Sequence, residues 1–185
     1  MMEPKWDGFR LLVAIDLHGR MRAWSRRGTS LGDRLGSLLE PLVESPRATV
    51  FDAELVALSS RDGRGVQDFA AVCRATLQAD AAAAGKLHLV AFDLLEFAGD
   101  DPRSPPWVTR TELLRETFPA GDRLRLVQTR PASRAAHDQL VALGFEGSVL
   151  VWRPGRYVDP GRLSTEPSNP SATSWSWAAR LAGRV

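Results

Sequence analysis

The sequence predicts an α/β fold of the α+β type, in which mainly antiparallel sheets are flanked by helices. Three observations favour this fold. Strand-like runs rich in Val, Ala and Leu recur along the chain, segments with helical spacing lie between them, and the first two runs are close enough to form a hairpin. With 185 residues, 44% of them hydrophobic and 25% charged, the chain is long enough to bury one sizeable core.

The first elements are a hairpin and a helix. Residues 11–16 (LLVAID) and residues 21–25 read as two strands joined by a glycine-centred turn. From Asp33 onward, leucines recur at helical spacing as far as Val43. This pattern predicts a helix, which Pro46 would follow.

Residues 48–58 (ATVFDAELVAL) read as a long strand with an unusual face. Side chains alternate across a strand, so Asp52 and Glu54 share one face with Val50 and Val56. Two carboxylates on such a face are costly unless a cation or a polar ligand meets them.

The second half of the chain predicts three helices and three strands. Residues 66–83 have helical spacing, with an apolar stripe that runs from Phe69 to Leu77. Thr109 and Glu112 have the spacing of a capping box and predict the start of another helix. The other predicted elements are a central strand at 87–95, a strand at 124–127, a helix at 133–143 and a strand at 148–152.

The pattern changes after Pro154, where Pro, Gly, Ser and Thr dominate. We therefore expect one domain over residues 1–153 and a loop-rich tail over residues 154–185. Trp175 and Trp177 alternate near the end of that tail, which favours a short edge strand that docks on the core.

Composition excludes several classes of protein. The net charge is only +2, so affinity for polyanions would have to come from local arginine clusters. A single cysteine, Cys73, excludes an internal disulfide and a cysteine zinc cluster, which fits a reduced cytoplasmic compartment. No apolar run approaches the roughly 20 residues of a membrane span, and we expect no membrane association.

The chain has only two lysines, Lys5 and Lys86, among 24 basic residues. Arginine keeps its charge and is no nucleophile, whereas a lysine with a lowered pKa can attack covalently. Lys5 opens the string KWDGFR, beside an Asp-Gly turn and an arginine. It is therefore a candidate covalent centre, with an exposed turn residue as the open alternative.

Five short motifs follow one another along the chain. They are KWDGFR at 5–10, SRRG at 25–28, DAE at 52–54, FD at 92–93 and EG at 146–147. This ordered set resembles the adenylation domain of ATP-dependent DNA ligases, most closely the bacterial type, over residues 3–157. The resemblance implies an ATP-grasp-like nucleotidyltransferase core of the kind that DNA ligases share with RNA ligases and mRNA capping enzymes.

The resemblance implies a covalent reaction. Lys5 would attack the α-phosphate of ATP to form lysyl-AMP and would pass AMP to the 5′-phosphate of nicked double-stranded DNA, in repair or recombination. The residues implied to bind the nucleotide are Glu3, Arg10, Arg26, Glu54 and Phe92. The residues implied to bind Mg²⁺ are Glu54 and Glu146. From the sequence alone, Glu54 as an exposed strand carboxylate and Phe92 as a core residue stay open.

The sequence departs from the family pattern at two motifs. The fourth motif ends in lysine in the family, and here Val151 stands in that place. The fifth keeps Trp175 but has no lysine after it. We also expect the family's oligonucleotide-binding-fold domain to be absent, unless a partner protein supplies it. A ligase remnant that only binds nucleotide or DNA, and an RNA-ligase or capping-type enzyme, are the alternative functions.

Overall fold

Two sheets form the framework of the protein. The computed structural model describes residues 1–61 and 64–157. Its strands, in chain order, are β1 (Met2–Lys5), β2 (Phe9–Ile15), β3 (Met21–Ser25), β4 (Thr49–Arg61), β5 (Arg64–Gln67), β6 (Leu87–Glu96), β7 (Leu124–Leu126) and β8 (Gly147–Leu150). The larger sheet has the order β3-β2-β4-β6-β7, with β5 paired to β4, and the smaller sheet is β1 with β8. Every pair is antiparallel except β6 with β7, which confirms the predicted fold class.

Among the described residues, five α-helices accompany the sheets. They are α1 (Gly32–Leu35), α2 (Phe69–Leu77), α3 (Ala81–Ala84), α4 (Trp107–Thr117) and α5 (Arg134–Ala142). The main core covers one face of the larger sheet, where Leu11, Leu55 and Leu89 are fully buried. There Phe51 of β4 meets Phe118 edge to face, with 5.3 Å between the ring centroids. Helix α5 instead packs on the smaller sheet, where Leu140 and Met2 are buried together.

The single helix expected from Asp33 to Val43 is wrong. The chain forms α1 and then two 3-10 segments, Gly36–Leu38 and Glu40–Glu44. Gly36 has φ 27°, a conformation that ends an α-helix. The leucine pattern is still explained, because 3-10 turns also return side chains to one side every three residues, and those leucines are buried.

The helix expected over residues 66–83 is also wrong. Val66 belongs to β5, and α2 begins only after Asp68, whose side chain accepts a hydrogen bond from the Ala71 backbone N–H. Ala79 has φ 54° and separates α2 from α3. The buried face of α2 is therefore rotated relative to the predicted apolar stripe, and Phe69 and Leu77 are partly exposed.

The capping box expected at Thr109 does not form. Helix α4 begins two residues earlier, at Trp107, and its N-cap makes no side-chain hydrogen bond. The backbone N–H of Trp107 donates instead to the carbonyl of Gly155 at 2.7 Å, and that of Val108 donates to the carbonyl of Arg153 at 3.2 Å. A distant segment thus satisfies the free donors of the first turn, which local spacing could not indicate.

The other predicted elements are confirmed to within a few residues. They are the β2–β3 hairpin, the central strand β6, the short strand β7, helix α5 and strand β8. Ser133 caps α5, and Gly144 follows it with φ 90°. Within the described residues, no helix has the length and apolarity that crossing a membrane requires. Most of the predicted tail, including Trp175 and Trp177, lies outside the described residues.

A bulge in β6 changes which side chains reach the second face of the larger sheet. Asp52 pairs with Asp93, but the next residue of β4, Ala53, pairs with Ala91, so Phe92 is the extra residue. Because a bulge breaks the strict alternation of side chains, Phe92 and Asp93 both line the same pocket although they are consecutive.

The glycine of KWDGFR permits a close approach between the turn after β1 and strand β4. A Cβ on Gly8 would lie 2.2 Å from the Leu55 carbonyl oxygen. We expect Gly8→Ala to lower the free energy of unfolding by about 2 kcal/mol, because a backbone atom must move. Gly121→Ala is the matched control, since its Cβ would meet nothing within 4 Å. Urea unfolding of both variants checks this, and equal midpoints would contradict the close approach.

Candidate active site

A pocket of about 360 Å³ opens between the second face of the larger sheet and the smaller sheet. We call it the Lys5 pocket. Residues of β1, β2, β4, β6 and β8 line it, together with the turn after β1, the start of α4 and Tyr157. Six of the seven site residues predicted from the sequence line this pocket: Glu3, Lys5, Arg10, Glu54, Phe92 and Glu146. The structure therefore brings together residues that are far apart in the chain.

Lys5 lies at the end of β1, opposite Gly147 of β8. Its Nζ donates a hydrogen bond to Glu146 Oε1, and the two side chains form an ion pair. Both are about half exposed, with 48% of the Lys5 side chain and 52% of the Glu146 side chain accessible. An incoming ligand can therefore reach the amine, and Glu146 must release it before it can act as a nucleophile.

Arg10 is held in place by a buried carboxylate. Its Nε lies 3.0 Å and 3.1 Å from the two carboxylate oxygens of Asp52, and a terminal nitrogen lies 2.5 Å from Oδ2. Its guanidinium carbon is 5.5 Å from the centre of the Phe92 ring. Two-point contact with Asp52 fixes the orientation of the arginine, so Arg10 is a rigid cation on the pocket wall.

The carboxyl groups of Glu54 and Glu3 favour the protonated form. Burial raises the pKa of Glu54 to about 8, and the negative charges of Asp52, Asp7 and Glu146 add to the rise. Burial likewise raises the pKa of Glu3 to about 8, with a smaller contribution from Asp93. Glu3 is buried, and its Oε1 has no hydrogen-bond partner in the described part of the protein. A ligand that brings hydrogen-bond donors or positive charge would stabilise both carboxyl groups.

Glu54 and Glu146 are the acidic residues predicted to bind Mg²⁺. No group of three His, Cys, Asp or Glu residues that could hold a metal occurs among the described residues. Glu54 and Glu146 line one pocket, and Glu146 contributes to the raised pKa of Glu54. Mg²⁺ is usually held by one or two carboxylates together with phosphate oxygens and water, so two carboxyl groups in one pocket are compatible with the ion, and their role as its ligands stays a prediction.

Arg26 is the predicted site residue that the structure does not bring to the Lys5 pocket. It is exposed in the turn after β3, and it is absent from the lining of the pocket. Its role in nucleotide binding stays a prediction. Val151, by contrast, lines the pocket and is buried.

Sequence reasoning missed two residues that shape the site, Arg110 and Tyr157. Arg110 is buried and binds both carboxylate oxygens of Asp93, at 2.8 Å and 2.9 Å. Its guanidinium carbon lies 4.5 Å from the centre of the Tyr157 ring. The sequence held one signal for this pair. An arginine lies within a helix that otherwise packs on the core, and an aspartate lies within an apolar strand.

The buried Glu3 carboxyl predicts a dependence of stability on pH. Its pKa rises from 4.5 to about 8 in the folded protein, so the folded state holds a proton that the unfolded chain releases near its ordinary pKa. Stability is then fully present at acid pH and declines as the pH rises towards 8. We expect Glu3→Gln to reduce that decline by a few kcal/mol, because glutamine has no proton to lose.

Urea unfolding at a series of pH values measures this effect. The matched control is Glu112→Gln, because Glu112 is an exposed carboxylate on α4. If Glu3→Gln and Glu112→Gln lose stability equally between acid and alkaline pH, Glu3 does not hold the proton.

Comparison with known proteins gives the family. Residues 1–161 match the ATP-dependent DNA ligase domain family. The multifunctional non-homologous end joining protein LigD of Mycobacterium bovis is 33% identical over 167 residues, and so is the LigD DNA repair protein of Mycobacterium tuberculosis. The matched region is 86% of this chain and 20% of each relative, so the chain spans about a fifth of their length.

Solved structures agree with the sequence comparison. A mycobacterial DNA ligase D complexed with ATP and MES, and the ligase domain of M. tuberculosis LigD, each superpose with a TM-score of 0.67 and 29% identity. Each match covers 86% of this chain and 50% of the other. An archaeal ATP-dependent RNA ligase, at 20% identity and a TM-score of 0.51 over 83% of this chain and 39% of its own, shares the fold. The chain belongs to the ATP-dependent DNA ligase family and has the fold of its adenylation domain.

Proposed function

We propose that this chain performs the first step of DNA ligation, in which Lys5 Nζ attacks the α-phosphate of ATP. A nitrogen–phosphorus bond forms, the bond to the leaving pyrophosphate breaks, and AMP remains on Lys5. The supporting observation is that the Lys5 pocket joins a reachable amine to an oriented arginine, a half-buried aromatic ring, the buried carboxyl group of Glu3 and the half-buried carboxyl group of Glu54. These are the groups that an adenine nucleotide and its phosphates require.

Arg10 and Phe92 would bind the nucleotide from one side. Phe92 offers a ring to the purine, and the nearby Arg10 offers a fixed charge to the ribose and phosphates. Glu3, whose buried Oε1 has no partner among the described residues, would meet the polar edge of the base. A protonated Glu3 can donate one hydrogen bond and accept another, so it can pair with a ring nitrogen and an amino group.

Glu54 and Glu146 are the residues that would hold Mg²⁺ together with the phosphates. The ion would offset the negative charge that develops at the α-phosphate. The ion pair with Glu146 positions Lys5, and a change of partner by Glu146 would free the amine for attack. Lys5 and Glu146 would thus be coupled, with the carboxylate positioning the amine before it binds the metal.

The second step, transfer of AMP to the 5′-phosphate of a DNA nick, is also part of the proposal. DNA repair by non-homologous end joining is the setting that the relationship to LigD favours, and recombination is the alternative that the sequence resemblance implies. Arg26 and its neighbour Arg27 are both exposed in the turn after β3, and they would meet DNA phosphates. Binding of nicked DNA should therefore weaken as salt is added.

Lys5→Ala tests the covalent step. Incubation of the purified chain with α-labelled ATP and Mg²⁺, followed by a denaturing gel, should give a labelled band that Lys5→Ala abolishes. The other lysine, Lys86, cannot replace Lys5 in the variant, because it lies in the exposed turn before β6. Lys86→Ala is the matched control and should label normally. Loss of label in both variants, or in neither, would contradict attack by Lys5.

The buried Val151 favours a second candidate function, a ligase remnant that binds nucleotide without reacting. The family has a lysine in this motif position, and here a valine lines the pocket. Loss of one phosphate-binding cation costs on the order of 10²-fold in rate. A wild-type chain that binds ATP but gains no label would support this second function.

Restoring the cation discriminates between the two functions. If the missing charge limits the rate, Val151→Lys should raise the labelling rate about tenfold or more, because a cation would face the α-phosphate. The control is Leu150→Lys, which adds the same charge at a neighbouring position that is 64% exposed and absent from the pocket lining. Equal rates in the two lysine variants would show that the charge at residue 151 is not limiting.

A further inference from the structure

Arg110 joins three separate walls of the Lys5 pocket. It lies on α4, and its side chain is only 2% exposed. Through Nε and one terminal nitrogen it binds Asp93 of β6, at 2.8 Å and 2.9 Å. Its other terminal nitrogen donates to the carbonyls of Pro105 and Gly155, at 2.8 Å and 3.2 Å. One side chain therefore connects β6, the start of α4 and the segment after β8.

The β6 end of this connection adjoins the predicted purine-stacking residue. Asp93 directly follows Phe92, and the bulge directs both side chains to the pocket. A bulge lacks one ladder pair and is therefore easier to deform than a regular strand. The two-point contact from Arg110 fixes Asp93, and through it the backbone that carries Phe92.

The other end of this connection holds the segment after β8. Gly155 accepts hydrogen bonds from the Arg110 side chain and from the Trp107 backbone N–H. Two residues later, Tyr157 places its ring under the Arg110 guanidinium, 4.5 Å from the ring centre. Tyr157 and Val151 both line the pocket, so the position of their segment contributes to the shape of the pocket.

We propose that Arg110 is a positioning residue for nucleotide binding, which holds Phe92 and Tyr157 in place on the wall of the Lys5 pocket. It is absent from the pocket lining, so it acts through Asp93, Gly155 and Tyr157. Lysine at this position keeps the charge but cannot make the two-point contact or the planar stacking. The inference rests on the proposed function, because it assumes that the pocket binds ATP.

The test compares Arg110→Lys with a control arginine in the full chain. Arg123 is half-buried and donates to the carbonyls of Leu87 and Ala84, at 3.0 Å and 2.8 Å, so it also links β6 to another segment. It lies outside the lining of the Lys5 pocket. Calorimetric titration with ATP and Mg²⁺ gives the dissociation constant, labelling at saturating ATP gives the maximal rate, and thermal melting reports stability.

We expect Arg110→Lys to raise the dissociation constant for ATP about tenfold. The maximal labelling rate should stay within about twofold, because the reacting groups are unchanged. Arg123→Lys should leave both quantities unchanged even where its melting temperature falls. Equal dissociation constants for the two variants would overturn the proposal.

A second variant covers the case in which Arg110→Lys fails to fold. Asp93→Asn combined with Arg110→Gln removes both charges, so no charge is left buried alone, and such double replacements are often tolerated. The shorter glutamine cannot reach the side chain at position 93 and the carbonyls of Pro105 and Gly155 together. The same loss of ATP affinity is therefore expected, and unchanged affinity would overturn the proposal.

The wild-type protein separates this inference from the proposed function. Wild-type protein that binds ATP without labelling would refute the covalent function alone, whereas wild-type protein that binds no ATP would refute both the covalent function and the role of Arg110.

Discussion

Strands β1 and β8 come from opposite ends of the described chain, and their pairing creates one side of the Lys5 pocket. Lys5 pairs with Gly147, so its side chain meets Glu146, 141 residues away in sequence. A two-stranded sheet is marginal by itself in water. Helix α5 compensates by burying Leu140 and Ala136 against Met2. The geometry of the candidate nucleophile therefore depends on a helix that contributes no residue to the pocket.

The other side of the pocket is the acidic face of the larger sheet, and its charges are balanced unequally. Asp52 has Arg10 as its partner, and Asp93 has Arg110. Burial of Glu3 and Glu54 raises the pKa of each carboxyl group to about 8. The two arginine–aspartate pairs give a fixed frame. Glu3, which is buried, and Glu54, which is half-buried, form no ion pair within the described residues, so a bound ligand or cation would stabilise them most. This division suits a site that stabilises charge arriving with its substrate.

The sequence predicted which residues share a pocket better than it predicted the helices. The order of short motifs was enough to group Lys5, Arg10 and Glu54, because each lies on a strand that lines the Lys5 pocket. The helix from Asp33 failed at Gly36, whose backbone conformation leaves no trace in the spacing of leucines. Arg110 was missed because its partner lies 17 residues away on another element, and no local period marks such a pair.

Two further differences have physical causes outside any local pattern. The bulge at Phe92 is a property of two paired strands, so the sequence of one strand could not reveal that Phe92 and Asp93 share the pocket. Arg26 is part of the SRRG motif, but the turn after β3 leaves its side chain exposed and outside the pocket lining. The motifs thus grouped six of the seven predicted residues in one pocket, but they could not indicate where the Arg26 side chain lies.

The proposed function requires that the amine of Lys5 reacts with ATP. Mass spectrometry of the digested wild-type chain, after incubation with ATP and Mg²⁺, identifies any residue that carries AMP. We expect AMP on the peptide that contains Lys5 and none on the peptide that contains Lys86. Folded protein that binds ATP but carries no AMP on Lys5 would refute the reaction at this amine.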